Sequence, residues 1–240
     1  MKLKQLTISL YAIIITLFFG LAATSCNSDS GNNILDNMSA DFVTFVSTDN
    51  NGSVFTFQKS GDSPLITLTA AIKVDTEQIK PGSRVILYYI PSGGQGAYKS
   101  GPVDVINIVR ILNAGVEEAS METITSWGHD KLNVHTIARS GNYLDLWAEG
   151  FVSKEAKRFV LVADKATLAD EYPALYLIFV SDDDLGRARQ IYASFDLSSV
   201  WDLPTSKGVK LTYYTDGGAE TMTLDKSDLG PLKPGGDTVE

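Results

Sequence analysis

Leu175-Tyr176-Leu177-Ile178-Phe179-Val180 is apolar on both of the faces that a strand presents. A run of this kind suits a central strand, covered above and below. Further on, Val209-Lys210-Leu211-Thr212-Tyr213 alternates cleanly. Val209, Leu211 and Tyr213 would face one way, Lys210 and Thr212 the other. Around these two segments lie further β-branched and aromatic runs: Leu132–Ala138, Tyr143–Phe151, Arg158–Ala163, Ile191–Leu197 and Glu220–Leu224. Ser140-Gly141-Asn142 and Asp216-Gly217-Gly218 read as hairpin turns between them. About seven short strands over this length predict an antiparallel β-sandwich. The one helix-like stretch is Ala166–Glu171.

Upstream, the same reading gives five strands: Phe42–Ser47, Ser53–Gln58, Leu65–Ile72, Arg84–Ile90 and Val103–Leu112. Asp49-Asn50-Asn51-Gly52 favours positive φ and a tight hairpin. Lys80-Pro81-Gly82-Ser83 sets Pro and Gly at the central positions of a type II turn. One polar excursion, Asp75–Ile79, interrupts the series. Five strands of this kind predict a small closed barrel of the OB type. The expected fold class is therefore all-β: an OB-like barrel, then a sandwich. The junction is expected near Asn113–Glu118.

The amino-terminal segment reads differently. Lys2 and Lys4 precede an apolar run from Ile8 to Ala23, followed by small residues. This is the layout of a secretory signal. The run falls short of the roughly 20 residues that a spanning helix requires. Ala23-Thr24-Ser25-Cys26 resembles a bacterial lipobox, which implies diacylglycerol on the Cys26 thiol and acylation of the new amino terminus. Cys26 is the only cysteine, so an exported chain modified there has no disulfide. The expected plan is 1–25 signal peptide, 26–37 lipidated tether, 38–114 OB-like domain, 115–228 β-sandwich and 229–240 flexible tail. The formal net charge is −9, and loss of Lys2 and Lys4 with the signal makes the mature chain more acidic. An acidic chain argues against nucleic acid, whose phosphates need a basic footprint. The expected location is the cell envelope, as an outer-membrane lipoprotein held through Cys26.

The order of these parts resembles a known family. The carrying residues are Ile79-Lys80-Pro81-Gly82-Ser83-Arg84-Val85, Asn142-Tyr143-Leu144-Asp145-Leu146, Glu171-Tyr172-Pro173 and Tyr192-Ala193-Ser194-Phe195-Asp196-Leu197. The chain is similar to the NigD-like lipoproteins of Bacteroidetes over about residues 37–226. The resemblance implies an OB-like domain, a carboxy-terminal sandwich and a suggested association with bacteriocin immunity. It implies no catalytic residue.

The residues themselves offer few sites. His129 and His135 are the only histidines, and without a free cysteine they make a poor metal set. They read as surface residues, and no catalytic residue, cofactor or metal ligand is assigned. Asp182-Asp183-Asp184-Leu185-Gly186 lacks the spacing of an EF-hand and reads as a solvated loop. Phe55 and Phe57 share a face and read as barrel core, whereas Tyr88 and Tyr89 face oppositely. Trp127, Trp147 and Trp201 read mostly as sandwich core. Tyr143, Asp145, Trp147 and Glu149 lie two apart and would share one face of a strand. They form the candidate binding patch. Three functions stay open: a non-enzymatic binding or accessory module for a protein or glycan, an immunity-type protein that sequesters a toxin, and a hydrolase using carboxylates such as Asp145 and Glu149.

Overall fold

The computed structural model describes residues 37–92, 98–152, 156–181 and 187–227. Cys26, the signal, the loop 182–186 and the tail from 229 lie outside the described residues. Residues 37–240 group as one compact unit.

Five strands close a barrel in the order β1-β2-β3-β5-β4, with β4 returning to β1. They are β1 (Ser39–Asp49), β2 (Gly52–Phe57), β3 (Ile66–Ala70), β4 (Arg84–Pro91) and β5 (Gly101–Arg110). Only β3 and β5 pair in parallel; the other pairs are antiparallel. Alternate residues fill the inside: Val43, Phe45, Phe55, Phe57, Leu68, Val85 and Leu87 are buried. Burying each such side chain contributes about 1.5–3 kcal/mol. Phe55 and Phe57 are core, as expected.

Two glycines fix the barrel's corners. Gly82 has φ 89°, and Ser83 N–H donates to the Lys80 carbonyl at 3.0 Å, closing the predicted turn. Gly52 has φ 130° and ends the β1–β2 hairpin. A Cβ there would stand 2.0 Å from the Ala70 carbonyl oxygen, so no other residue fits. Among the residues of that turn, positive φ falls on Gly52 and not on the two asparagines.

The rest of the chain forms an eight-stranded sheet in the order β13-β12-β10-β9-β6-β11-β8-β7. Its strands are β6 (Leu112–Ala119), β7 (Asn133–Ser140), β8 (Tyr143–Val152), β9 (Ala156–Asp164), β10 (Ala174–Ser181), β11 (Arg187–Asp196), β12 (Gly208–Thr215) and β13 (Gly218–Asp225). Leu144, Leu146, Phe195, Leu161, Leu177, Phe179 and Leu211 join one core cluster. Phe159 meets both Phe179 and Phe195 edge-on, with centroids 5.8 Å away in each case. Leu132 N–H donates to the Tyr214 carbonyl at 2.8 Å, bringing the approach to β7 against β12.

The alternation predicted for β12 is present: Val209, Leu211 and Tyr213 are buried and Lys210 is exposed. The doubly apolar β10 is explained too. Leu175, Leu177 and Phe179 enter the main core. Ile178 and Tyr176 face a second cluster, capped by Ile124 of helix α1 (Met121–Trp127).

Three features depart from the sequence reading. Residues 113–118 lie within a strand, and β6 pairs in parallel with both β11 and β9. The β10–β12 pair is also parallel, so the sheet is mixed. Helix α1 replaces the helix expected at 166–171, where only a 3₁₀ turn, Lys165–Thr167, forms. Ser120 caps α1 by accepting from Thr123 N–H at 3.3 Å, and Gly128 ends it. Among the described residues no helix is long and apolar enough to cross a membrane.

Candidate functional site

Strand β8 sends Leu144, Leu146 and Ala148 into the core. Its odd-numbered residues therefore lie on the opposite face of the sheet. Tyr143, Asp145, Trp147 and Glu149 share that face, as the spacing predicts. Strand β11 runs antiparallel beside it, with Tyr192 opposite Trp147 and Ser194 opposite Asp145. This face has a buried half and a half-exposed half.

The buried half is polar. Arg84, on barrel strand β4, and Asp145 are both almost fully buried. A guanidinium N–H of Arg84 donates to Asp145 Oδ2. Arg84 Nε donates to Ser194 Oγ at 3.2 Å, and the Ser194 hydroxyl donates to Asp145 Oδ1 at 2.6 Å. The guanidinium also lies 4.7 Å from the Tyr143 ring centroid. Asn113 of β6 holds the backbone of Arg84, its Nδ2 donating to the Arg84 carbonyl at 2.9 Å. Burial pushes the Asp145 carboxyl up; the Arg84 charge and the Ser194 hydroxyl oppose it. Both carboxylate oxygens are engaged. Asp145 is thus buried against Arg84 and Ser194, whereas Trp147 and Glu149 of the candidate patch are half-exposed.

A second polar contact ties the same parts. Gly61 N–H donates to the Arg139 carbonyl at 2.8 Å, and Ser140 Oγ to the Gln58 carbonyl at 2.6 Å. Arg139 Nη1 donates to Asp62 Oδ1 at 2.9 Å, which holds the Asp62 carboxyl below its usual range.

The half-exposed part is an aromatic row across four strands. His135 of β7 lies 4.8 Å from Trp147, centroid to centroid. Trp147 stacks on Tyr192 of β11 at 6.2 Å and 17°. Tyr192 meets Phe42 of barrel strand β1 at 6.5 Å. Gln190 accepts from the Trp147 indole N–H, and Glu149 Oε2 stands 3.8 Å from His135 Nε2. Burial raises the Tyr192 phenol. The row's edges, with an amide and a carboxylate beside them, offer both apolar and hydrogen-bonding contact. Trp147 therefore belongs to this surface and not to the core; Trp201 alone of the three is buried in it. Trp127 lies under Arg158, whose guanidinium is 4.1 Å from the ring.

His129 is not part of this row. It is exposed and stacks on Tyr214 at 3.4 Å. Among the described residues no group of three His, Cys, Asp or Glu side chains could hold a metal ion. Arg84, Ser194, His135 and Tyr192 were not picked out as site residues by the sequence reading. Period-2 counting from Trp147 gives the face of β8 but not its neighbours, because register across strands is not written locally.

Residues 115–226 match the NigD-like C-terminal beta sandwich domain. No curated protein sequence matches the chain. Solved structures share the fold. A protein of unknown function from Bacteroides vulgatus has a TM-score of 0.64 at 16% identity, covering 82% of this chain and 96% of that one. A NigD-like immunity protein from Bacteroides caccae has 0.54 at 16%, covering 82% and 97%. A candidate lipoprotein from Bacteroides fragilis has 0.53 at 12%, covering 78% and 96%. At these identities the likenesses carry the architecture alone.

Proposed function

We propose that this chain, which belongs to the NigD-like family by its carboxy-terminal sandwich domain, is an envelope lipoprotein that binds a protein or glycan without catalysis. The observation behind this reading is the row His135, Trp147, Tyr192, half-exposed and flanked by Glu149 and Gln190. Aromatic side chains give large contact area at low entropic cost, and their polar neighbours set orientation. Residues 38–114 and 115–228 are taken as the two domains, and lipid on Cys26 as the membrane anchor. Relatives described as a lipoprotein and as an immunity protein fit that placement. The test is a photo-crosslinking residue at position 149 in cells of the native host. A discrete adduct, lost on Trp147→Ala, is expected. Absence of any adduct, or one indifferent to Trp147→Ala, defeats the reading.

A second reading, sequestration of a secreted toxin, is favoured by the similarity to a structure described as an immunity protein. It predicts that cells lacking this protein become sensitive to a bacteriocin from a neighbouring strain. Unchanged sensitivity counts against it.

A further inference from the structure

A cleft of about 270 Å3 opens between the start of β7 and the β12–β13 hairpin. Leu132, Val134 and Tyr213 line it, but Leu132 and Tyr213 are almost fully buried, so its apolar contact is offered by Val134. Glu220 lines it as well. Two hydroxyls orient this carboxylate: Tyr213 donates to Oε2 at 2.9 Å and Thr215 to Oε1 at 2.8 Å. Each oxygen keeps a second acceptor position. No described lysine or arginine pairs with Glu220; the nearby Lys131 is held at the rim by Asp216, at 3.1 Å. The cleft thus presents a fixed carboxylate with no described cation paired to it, beside the half-buried side chain of Val134.

That combination suits one kind of ligand. A long alkyl stem lies on apolar surface while its cationic head reaches a carboxylate. A guanidinium matches a planar carboxylate better than an ammonium does, because it offers paired N–H donors in a fixed fork. The chain carries a net charge of −9, which steers basic partners toward it. We propose that this cleft binds an alkyl guanidinium, supplied by an arginine of a basic partner protein, with its head on Glu220 and its stem along Val134.

Agmatine is the probe. Calorimetric titration into the purified full chain in detergent, at low ionic strength, gives saturable 1:1 binding. Glu220→Gln weakens it at least tenfold. Asn133→Trp, which fills the cleft from its exposed rim and keeps the carboxylate, does the same. Thermal melts establish that both variants are folded. A basic arginine peptide binding more tightly than agmatine identifies a protein as the source. Equal affinity identifies a free guanidino compound and overturns the partner assignment. Cadaverine binding as tightly as agmatine overturns the guanidinium assignment. So does agmatine binding that is absent, or undiminished in Glu220→Gln.

Discussion

Asp145→Asn tests whether barrel and sheet are locked by charge. The substitution keeps shape and volume but leaves the Arg84 guanidinium inside without its counter-ion. Breaking one side of a buried pair costs about 3–5 kcal/mol. The Ser194 hydroxyl keeps an acceptor in the amide oxygen, so its loss adds little. Since small proteins are stable by about 5–15 kcal/mol, the variant should lose about a fifth or more of its stability. Equilibrium urea unfolding, followed by tryptophan fluorescence and by far-ultraviolet circular dichroism, measures it. Replacing both partners, Arg84→Met with Asp145→Leu, removes the stranded charge. The double variant should therefore be more stable than Asp145→Asn alone. A loss below about 1 kcal/mol in Asp145→Asn, or a double variant less stable than the single one, would refute the reasoning.

Other expectations are simpler. Asp225 accepts from Ser227 Oγ and from the Tyr172 hydroxyl, and these bonds hold its carboxyl down at about 2. Its stabilising contacts are complete above the ordinary carboxylate value and fade as pH falls through about 2. Ser227→Ala should raise the midpoint toward 3.8 more than Tyr172→Phe does, read by NMR titration of the side-chain carboxyl. Cys26→Ser should release the protein from the membrane fraction or leave an uncleaved precursor; mass spectrometry of the mature amino terminus should find acyl mass on wild type and none on the variant.

The strands were legible where side chains alone decide them. In β12 the alternation Val209, Leu211, Tyr213 gives both the element and its buried face. In β10 the doubly apolar pattern anticipates a strand covered on both sides, though not that α1 is one of the covers. Strand β6 was not legible. Asn113, Gly115, Glu117 and Glu118 carry turn or solvent character, and only Ala114 and Val116 pack toward the main core. Its strand state is imposed by parallel partners that come later in sequence. Helix α1 did carry a signal in Ser120, Glu122 and Gly128, the cap, first-turn acid and terminal glycine. The role of Asp145 was hidden for a different reason. An aspartate between Tyr143 and Trp147 reads as a solvent-facing polar residue. Only the approach of barrel strand β4 puts Arg84 against it, and no local pattern announces that meeting.

The position of β6 bears on how the chain matures. It is made directly after the barrel, yet it lies between two strands that are not made until much later: Leu112 pairs with Ala193, and Val116 with Leu161. While synthesis proceeds, β6 has both hydrogen-bonding edges open. The barrel can close from its own neighbours, but neither partner of β6 is its neighbour in sequence. Assembly of the sheet is a late, long-range event, of the slow and aggregation-exposed kind. A chain cut between β6 and β11 would carry an intact barrel trailing an unpaired edge, a specific species for quality control to recognise.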